Sequence, residues 1–284
     1  MQIIKTQLDS IDKIYHIADV HVRNVKRHKE YNLVFKRLYS YIKKTKTPNS
    51  LIYVAGDIVH AKTDMSPELI NMVSEFFKQL ADLAPTIIIT GNHDCNLNNS
   101  YRLDALSPII RALNHQNLHY LKDNGIYYIS GVHFNVMSVF DKPIDYIKAV
   151  DFDGDYKIAL HHGSVHNAST DAGFTLSNTH VTTEMFKGHD LVLLGDIHRP
   201  QFLDEEKTVA YAGSLVQQNH GEALGHGIMV WDLKTKKSEF VEIQNDFGYY
   251  TYEVDNGKII NPTDKMPKRP RLRLKVKDTD SGTL

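Results

Sequence analysis

Five short apolar runs in this sequence each end in polar residues able to hold a metal ion. The first leads into Asp19-Val20-His21, the second into Gly56-Asp57-Ile58-Val59-His60, and the third into Gly91-Asn92-His93-Asp94. The fourth ends in His161-His162-Gly163 and the fifth in Gly195-Asp196-Ile197-His198. In an open α/β sheet, ligands gather outside the carboxyl ends of the strands, so five runs with one habit imply one convergent site. Asp, Asn and His form a mixed oxygen and nitrogen shell, unlike the thiolates of structural zinc or the all-oxygen shell of calcium. Such a shell suits Mn²⁺ or Fe²⁺, with Mg²⁺ and Zn²⁺ as further fits. The donors are too many for one ion. Two ions ~3.5–4 Å apart, bridged by a carboxylate, would use them all, clamping a phosphate while activating a water. Glycine at Gly56, Gly91 and Gly195 allows the tight turn that aims the next side chain into the site. The other histidines of the 16, such as His16, His133 and His189, read as structural or surface residues.

Those runs must be strands, and helical patterns alternate with them, which implies an α/β layered fold. A strand over 13–18 precedes a helix over 28–46, with Leu33, Phe35, Leu38, Tyr39 and Ile42 as its buried stripe. A second strand covers 51–55. Ser66-Pro67-Glu68 then opens a helix, with a capping hydroxyl, a first-turn proline and an acid, and that helix stops before Pro85. The third strand covers 86–90, and Ser107-Pro108 starts a shorter helix to 113. Hairpin material over 118–139 and buried strands at 157–160 and 191–194 follow. From Thr208 onward the pattern predicts antiparallel strands at 209–212, 227–233, 238–243 and 249–254.

A proline- and glycine-rich break at 256–270 predicts a domain boundary, dividing the chain into 1–255 and 256–284. Beyond it, residues 271–277 alternate basic and apolar residues with period two, a strand with one charged face. The chain closes in Asp-Thr-Asp-Ser-Gly-Thr-Leu, and the second domain is expected to be incomplete.

The 284 residues hold 33 Lys and Arg against 34 Asp and Glu, a net charge of −1, so a polyanion would have to be met by local basic patches. Mean hydropathy is −0.36. No apolar run approaches the ~18 residues of a membrane-spanning helix, and no basic-then-apolar leader opens the chain. The one cysteine, Cys95, excludes an internal disulfide framework. A reduced intracellular setting, cytoplasmic or nucleoid-associated, is expected.

The chain resembles the calcineurin-like metallophosphoesterase family over about 14–233, whose signature is Asp-x-His, Gly-Asp, Gly-Asn-His-Asp, a later His and Gly-His-x-His in that order. His60 after Gly56-Asp57, the Arg199-Pro200-Gln201 tail and Tyr211-Ala212-Gly213-Ser214-Leu215 are similar to the SbcD-type DNA repair nucleases, the meiotic recombination nuclease family. The resemblance implies a four-layer sandwich of two mixed β-sheets flanked by helices, with the start of a small capping domain at the C-terminus. It implies one ion held by Asp19, His21, Asp57 and His198, and a second held by Asp57, Asn92, His161 and Asp196. His161 is preferred to His162 because the latter's position is not a ligand in the family. His93 would stabilise the transition state or protonate the leaving group, oriented by Asp94 and assisted by His60. Asp196 stands where the family usually has histidine, which points toward Mn²⁺ or Mg²⁺.

The implied activity is Mn²⁺-dependent 3′-to-5′ exonuclease and single-strand endonuclease cleavage of DNA. Arg23, Arg27, Arg271 and Arg273 are the candidate DNA contacts. The implied partners are DNA, a second copy of the chain and an SMC-like coiled-coil ATPase of SbcC type. Residues 101–114, with Leu103, Leu106, Ile109 and Ile110, offer a candidate dimer helix. Two rivals are a phosphoesterase acting on phosphoproteins or cyclic nucleotides and a degenerate scaffold that binds DNA or the ATPase without cleaving.

Overall fold

Most of the early strands are apolar on both faces, and each lies between two cores. The computed structural model describes residues 1–261 and 264–278. In chain order these form β1 (Gln2–Ile3), β2 (Lys13–Ile17), α1 (His28–Thr45), β3 (Ser50–Val54), α2 (Pro67–Leu83), β4 (Thr86–Ile88), α3 (Leu106–Leu113), β5 (Leu118–Tyr120), β6 (Gly125–Ile129), β7 (Val132–Met137) and β8 (Lys157–His162). There follow β9 (Leu191–Gly195), β10 (Gln201–Phe202), β11 (Val209–Tyr211), β12 (Gly227–Asp232), β13 (Lys237–Glu242), β14 (Phe247–Asp255), β15 (Lys258–Ile259) and β16 (Arg269–Lys277).

Two mixed sheets stack face to face. One has the order β13-β12-β2-β3-β4-β5 and the other β1-β6-β7-β8-β9-β11-β10. Along β2, Tyr15 and Ile17 face the helices, where Val34, Leu38, Phe76 and Leu80 meet them. Ile14 faces the second sheet with Tyr53, Ile87, Phe134, Leu160 and Trp231. A strand covered on both faces reads as a continuous apolar run. The outer face of the second sheet is closed by short 3-10 turns and loops that bring in Tyr146, Val165 and Phe186.

The signals at helix ends act as read in one case and shift in another. Ser66 Oγ accepts from Leu69 N at 3.3 Å, capping α2. In α3 the helix begins one residue before Ser107. The Asp104 carboxylate supplies the cap, accepting from Leu106 N at 2.9 Å and Ser107 N at 2.7 Å. The expected antiparallel run after Thr208 also needs correction: β11 pairs parallel to β9, and β14 parallel to β16.

A third sheet, β15-β14-β16, closes the described chain. The division expected at 255/256 falls between β14 and β15 of this one sheet. Of the expected closing turn over 278–284, only Asp278 is among the described residues. Glu30 in α1 ties this sheet to the body. Its buried carboxylate accepts from Arg27 Nε at 2.9 Å and Nη2 at 3.0 Å, from Asn245 Nδ2 at 2.8 Å and from Arg271 Nη2 at 2.6 Å. Arg27 also lies 5.4 Å from the ring centres of both Tyr31 and Tyr249.

Removing one partner from a buried ion network leaves the other charges uncompensated, at a cost of about 3–5 kcal/mol. Glu30→Ala is therefore expected to lower unfolding free energy by about 3 kcal/mol in urea titrations, and a loss under about 1 kcal/mol would refute this role. Burial works against charge on Glu30, but Arg27 outweighs it and holds the carboxyl below its ordinary 4.5. The stabilisation is accordingly full above that value and is lost as pH falls through the lowered one.

Candidate metal centre

The parallel strands β2, β3 and β4 of one sheet and β8 and β9 of the other end at a common edge, and their first loop residues fill it. Backbone pairing continues past the strand ends: Asp19 N donates to Gly56 O at 3.3 Å and His21 N to Asp57 O at 2.9 Å. To turn inward there, Asp19, His21, Asp57 and Asp196 adopt positive φ, at 49°, 48°, 52° and 103°. Non-glycine residues hold such angles only where their surroundings over-determine them. Gly91 is required for space: a Cβ there would lie 2.1 Å from Asp57 Oδ1 and 2.2 Å from Asp57 N.

Asp57 is 2% exposed. His93 N donates to its Oδ1 at 2.8 Å, His162 Nε2 lies 3.4 Å from Oδ1, and His21 Nε2 lies 3.5 Å from Oδ2. The Asn92 amide is 2.9 Å from His162 Nε2 and 3.2 Å from both Asp57 oxygens. On the far side, His21 Nε2 and His198 Nε2 face each other at 3.1 Å. Asp196 N donates to both Asp19 oxygens at 3.1 and 3.2 Å, and Ser164 Oγ donates to Asp196 Oδ2 at 2.7 Å.

Three groups bring donor atoms within 4.8 Å of one another: Asp19, His21 and His198; Asp19, Asp57 and His162; and His21, His60 and His93. Two imidazole nitrogens meeting beside two buried carboxylates fit a divalent cation better than they fit each other. Asp19 is shared by two groups, while Asp57 spans the His21 and His162 sides.

Burial raises the Asp19 carboxyl to about 7, against the pull of His162 and His198. Burial also opposes charge on Asp57, but His162 and His21 hold it below the usual carboxylate range. His21 is pushed well below its ordinary value by burial. For His198, burial is outweighed by the Glu222 carboxylate, and the imidazole rises to about 9.

Several expectations change. The geometry selects His162 over His161. His162 Nδ1 lies 2.6 Å from Ala55 O, across the two sheets, with Nε2 in the cluster. His161 points to the opposite face of β8, its Nδ1 3.1 Å from Met137 O, and burial drops it to about 4. Strand parity held that information: Ile158, Leu160 and His162 alternate onto one face. The hydrogen bonds of the Asp94 carboxylate go to backbone amides and not to the His93 ring. The carboxylate accepts from Ile58 N, Val59 N and Gly91 N at 2.9, 3.0 and 3.0 Å, stapling two loops together. His93 is held by the His60 carbonyl, 2.7 Å from its Nδ1. The two rings stack at 5.8 Å and 21°.

Arg27 and Arg271, expected at DNA, are occupied by Glu30. Arg273 Nε donates to Thr251 Oγ1 at 3.2 Å on an exposed strand. Arg23 lines a cavity of about 210 Å³ with His21, Asp57, His60, His93 and His198. In the candidate dimer segment, Leu106 and Ile109 are core residues and Leu103 is exposed.

Glu222 was not foreseen. Its Oε1 lies 2.8 Å from His198 Nδ1, the usual carboxylate support of a metal-binding histidine. It comes from a loop between β11 and β12 with no motif to mark it.

Glu222→Gln is expected to weaken divalent-ion binding about 10–100-fold in calorimetric titration, with the fold intact by circular dichroism. Unchanged affinity would remove Glu222 from the site. Ligation requires ionised Asp19 and neutral His198, so each proton they carry must leave. Affinity is therefore expected to rise from pH 6 to pH 9, with proton release greatest at the acid end. A pH-independent affinity across that window would contradict the titrations of Asp19 and His198.

No helix of the described residues is long and apolar enough to cross a membrane. The chain is 47% identical over 281 residues to the uncharacterised protein R555 of Acanthamoeba polyphaga mimivirus, a match covering 95% of the chain and 21% of that relative. It thus spans about a fifth of that protein's length. Residues 12–200, which carry every strand-end cluster described above, match the calcineurin-like phosphoesterase family, and the chain is a member of that family, whose fold holds a dinuclear metal site.

Proposed function

We propose that the chain hydrolyses phosphodiesters in DNA as an Mn²⁺-dependent nuclease of SbcD type, with 3′-to-5′ exonuclease and single-strand endonuclease activity serving break repair and recombination. The observation that carries this reading is the stacked His60–His93 pair sharing one cavity with Arg23 beside the carboxylate cluster. A carbonyl can only accept, so His93 Nδ1 carries the proton it gives to His60 O. Its Nε2 is then the free edge, suited to stabilising or protonating a leaving 3′ oxygen. Arg23 adds a fixed positive charge where a phosphate would sit.

Asp19, His21, Asp57, Asn92, His162, Asp196 and His198 would hold two divalent ions, which when bound supply Lewis-acid polarisation and a nucleophile at neutral pH. Around those ions the chain's own groups orient and neutralise. Glu222 holds His198, Ser164 holds Asp196, and Asp94 fixes the two loops that carry Asp57 and His93.

In this reading β14–β16 belongs to a small capping unit whose exposed Arg273, Lys275 and Lys277 meet the DNA backbone. A second copy of the chain and an SMC-like ATPase of SbcC type are its proposed partners. Exposed Tyr101 and Leu103 favour the homodimer.

End-labelled single- and double-stranded DNA incubated with Mn²⁺ should be cut, and His93→Ala should cut at least about a hundredfold more slowly with unchanged metal content. Turnover of a chromogenic phosphomonoester with intact DNA would replace the nuclease by a phosphatase.

A further inference from the structure

Beside the carboxylate cluster lies a second cavity of about 400 Å³, and Asp196 forms part of the wall of both. Asn92 and His162 of the cluster line it together with Leu97, Val139, Pro143 and Tyr146, and Ser164, Thr179 and His180 add polar groups. Its volume lies within the ~300–1,000 Å³ range of small-molecule sites, whose walls are apolar with a few placed polar groups. Among the described residues that line it there is no lysine or arginine, so it does not suit a second phosphate.

One placed group stands out. His161 is 3% exposed and its Nε2 has no partner among the described residues. Its Nδ1 gives its proton to the Met137 carbonyl, so Nε2 is a bare, buried lone pair on a residue of the cavity wall. A buried acceptor left unpaired is costly, and a ligand N–H would satisfy it. Tyr146 packs edge-on against the same imidazole at 5.6 Å and fixes its plane.

We propose that this cavity is a nucleobase subsite. It takes the base of the nucleotide whose phosphate occupies the cluster, stacks it against the Leu97 and Tyr146 side and pairs a ring N–H with His161 Nε2. An apolar side formed by Leu97, Val139, Pro143 and Tyr146, an unpartnered buried acceptor and a wall shared with the phosphate end match a nucleoside better than a peptide. The inference rests on the phosphodiesterase reading and adds a preference for bases with a ring N–H, thymine and guanine over cytosine and adenine.

The test is binding rather than turnover. Mn²⁺-loaded protein is titrated calorimetrically with thymidine 5′-monophosphate, its N3-methyl derivative and deoxyribose 5-phosphate. The unmodified nucleotide is expected to bind about tenfold more tightly than either, the value of about one net hydrogen bond. Equal affinities for all three would overturn the subsite. Leu97→Ala should narrow the gap, and a gap it leaves unchanged would count against the proposed walls. His161→Leu should retain wild-type metal content by elemental analysis. A loss would make His161 a metal ligand and end the proposal. Failure to hydrolyse methyl p-nitrophenyl phosphate, with the thymidine preference intact, would instead sink the phosphodiesterase reading alone.

Discussion

A carboxylate taken out of water must be compensated by charge or by donors, and the burial of Asp57 imposes that condition on both sheets. The compensation comes from three directions: the His93 amide, His162 from β8 and His21 from the loop after β2. Asp57 can hold this position only because residue 91 lacks a side chain, since a Cβ there would occupy the space of Asp57 Oδ1. The cost of burial is visible at Asp19, whose carboxyl it raises to about 7, with Asp57 and Asp196 adding to the rise. Such a site is electrostatically unfinished, and added positive charge relaxes it.

The same residues fasten the sandwich. His162 reaches from one sheet to the Ala55 carbonyl of the other, and Asp196 N reaches Asp19. Asp94, with three backbone amides on its oxygens, locks the loops after β3 and β4 in one arrangement. Strain at the positive-φ donors is held by these crosslinks, so the chemistry depends on the closure of the two sheets rather than on any one loop. Tyr211, from β11, plays a comparable part: its hydroxyl donates to Gly163 O at 2.7 Å and accepts from Val165 N at 2.9 Å.

Two of the arginines expected at DNA are turned inward. Arg27 and Arg271 look in one dimension like phosphate contacts, yet both converge on Glu30 and on the ring of Tyr249. Guanidinium groups suit that task because their planar fork can stack and chelate together. Arg23 remains at the cluster, while Lys26, Lys29 and the outer basic residues of β16 lie exposed.

The α/β class, the strand-by-strand placement of the donor clusters and the capping of α2 by Ser66 were written in local residue types. Periodicity, turn chemistry and side-chain donors act over a few residues. Whether His161 or His162 enters the cluster was also local in principle, since β8 alternates its faces, but adjacent histidines are chemically identical until the inward face is known. The partners of Asp94, the role of Arg27 and the support of His198 by Glu222 were decided only by the tertiary structure. Each depends on contacts between segments distant in the chain, such as Arg27 with Gln217 and Asp94 with Ile58. Side-chain identity names the bonds a residue can make, whereas the fold selects which of them it does make.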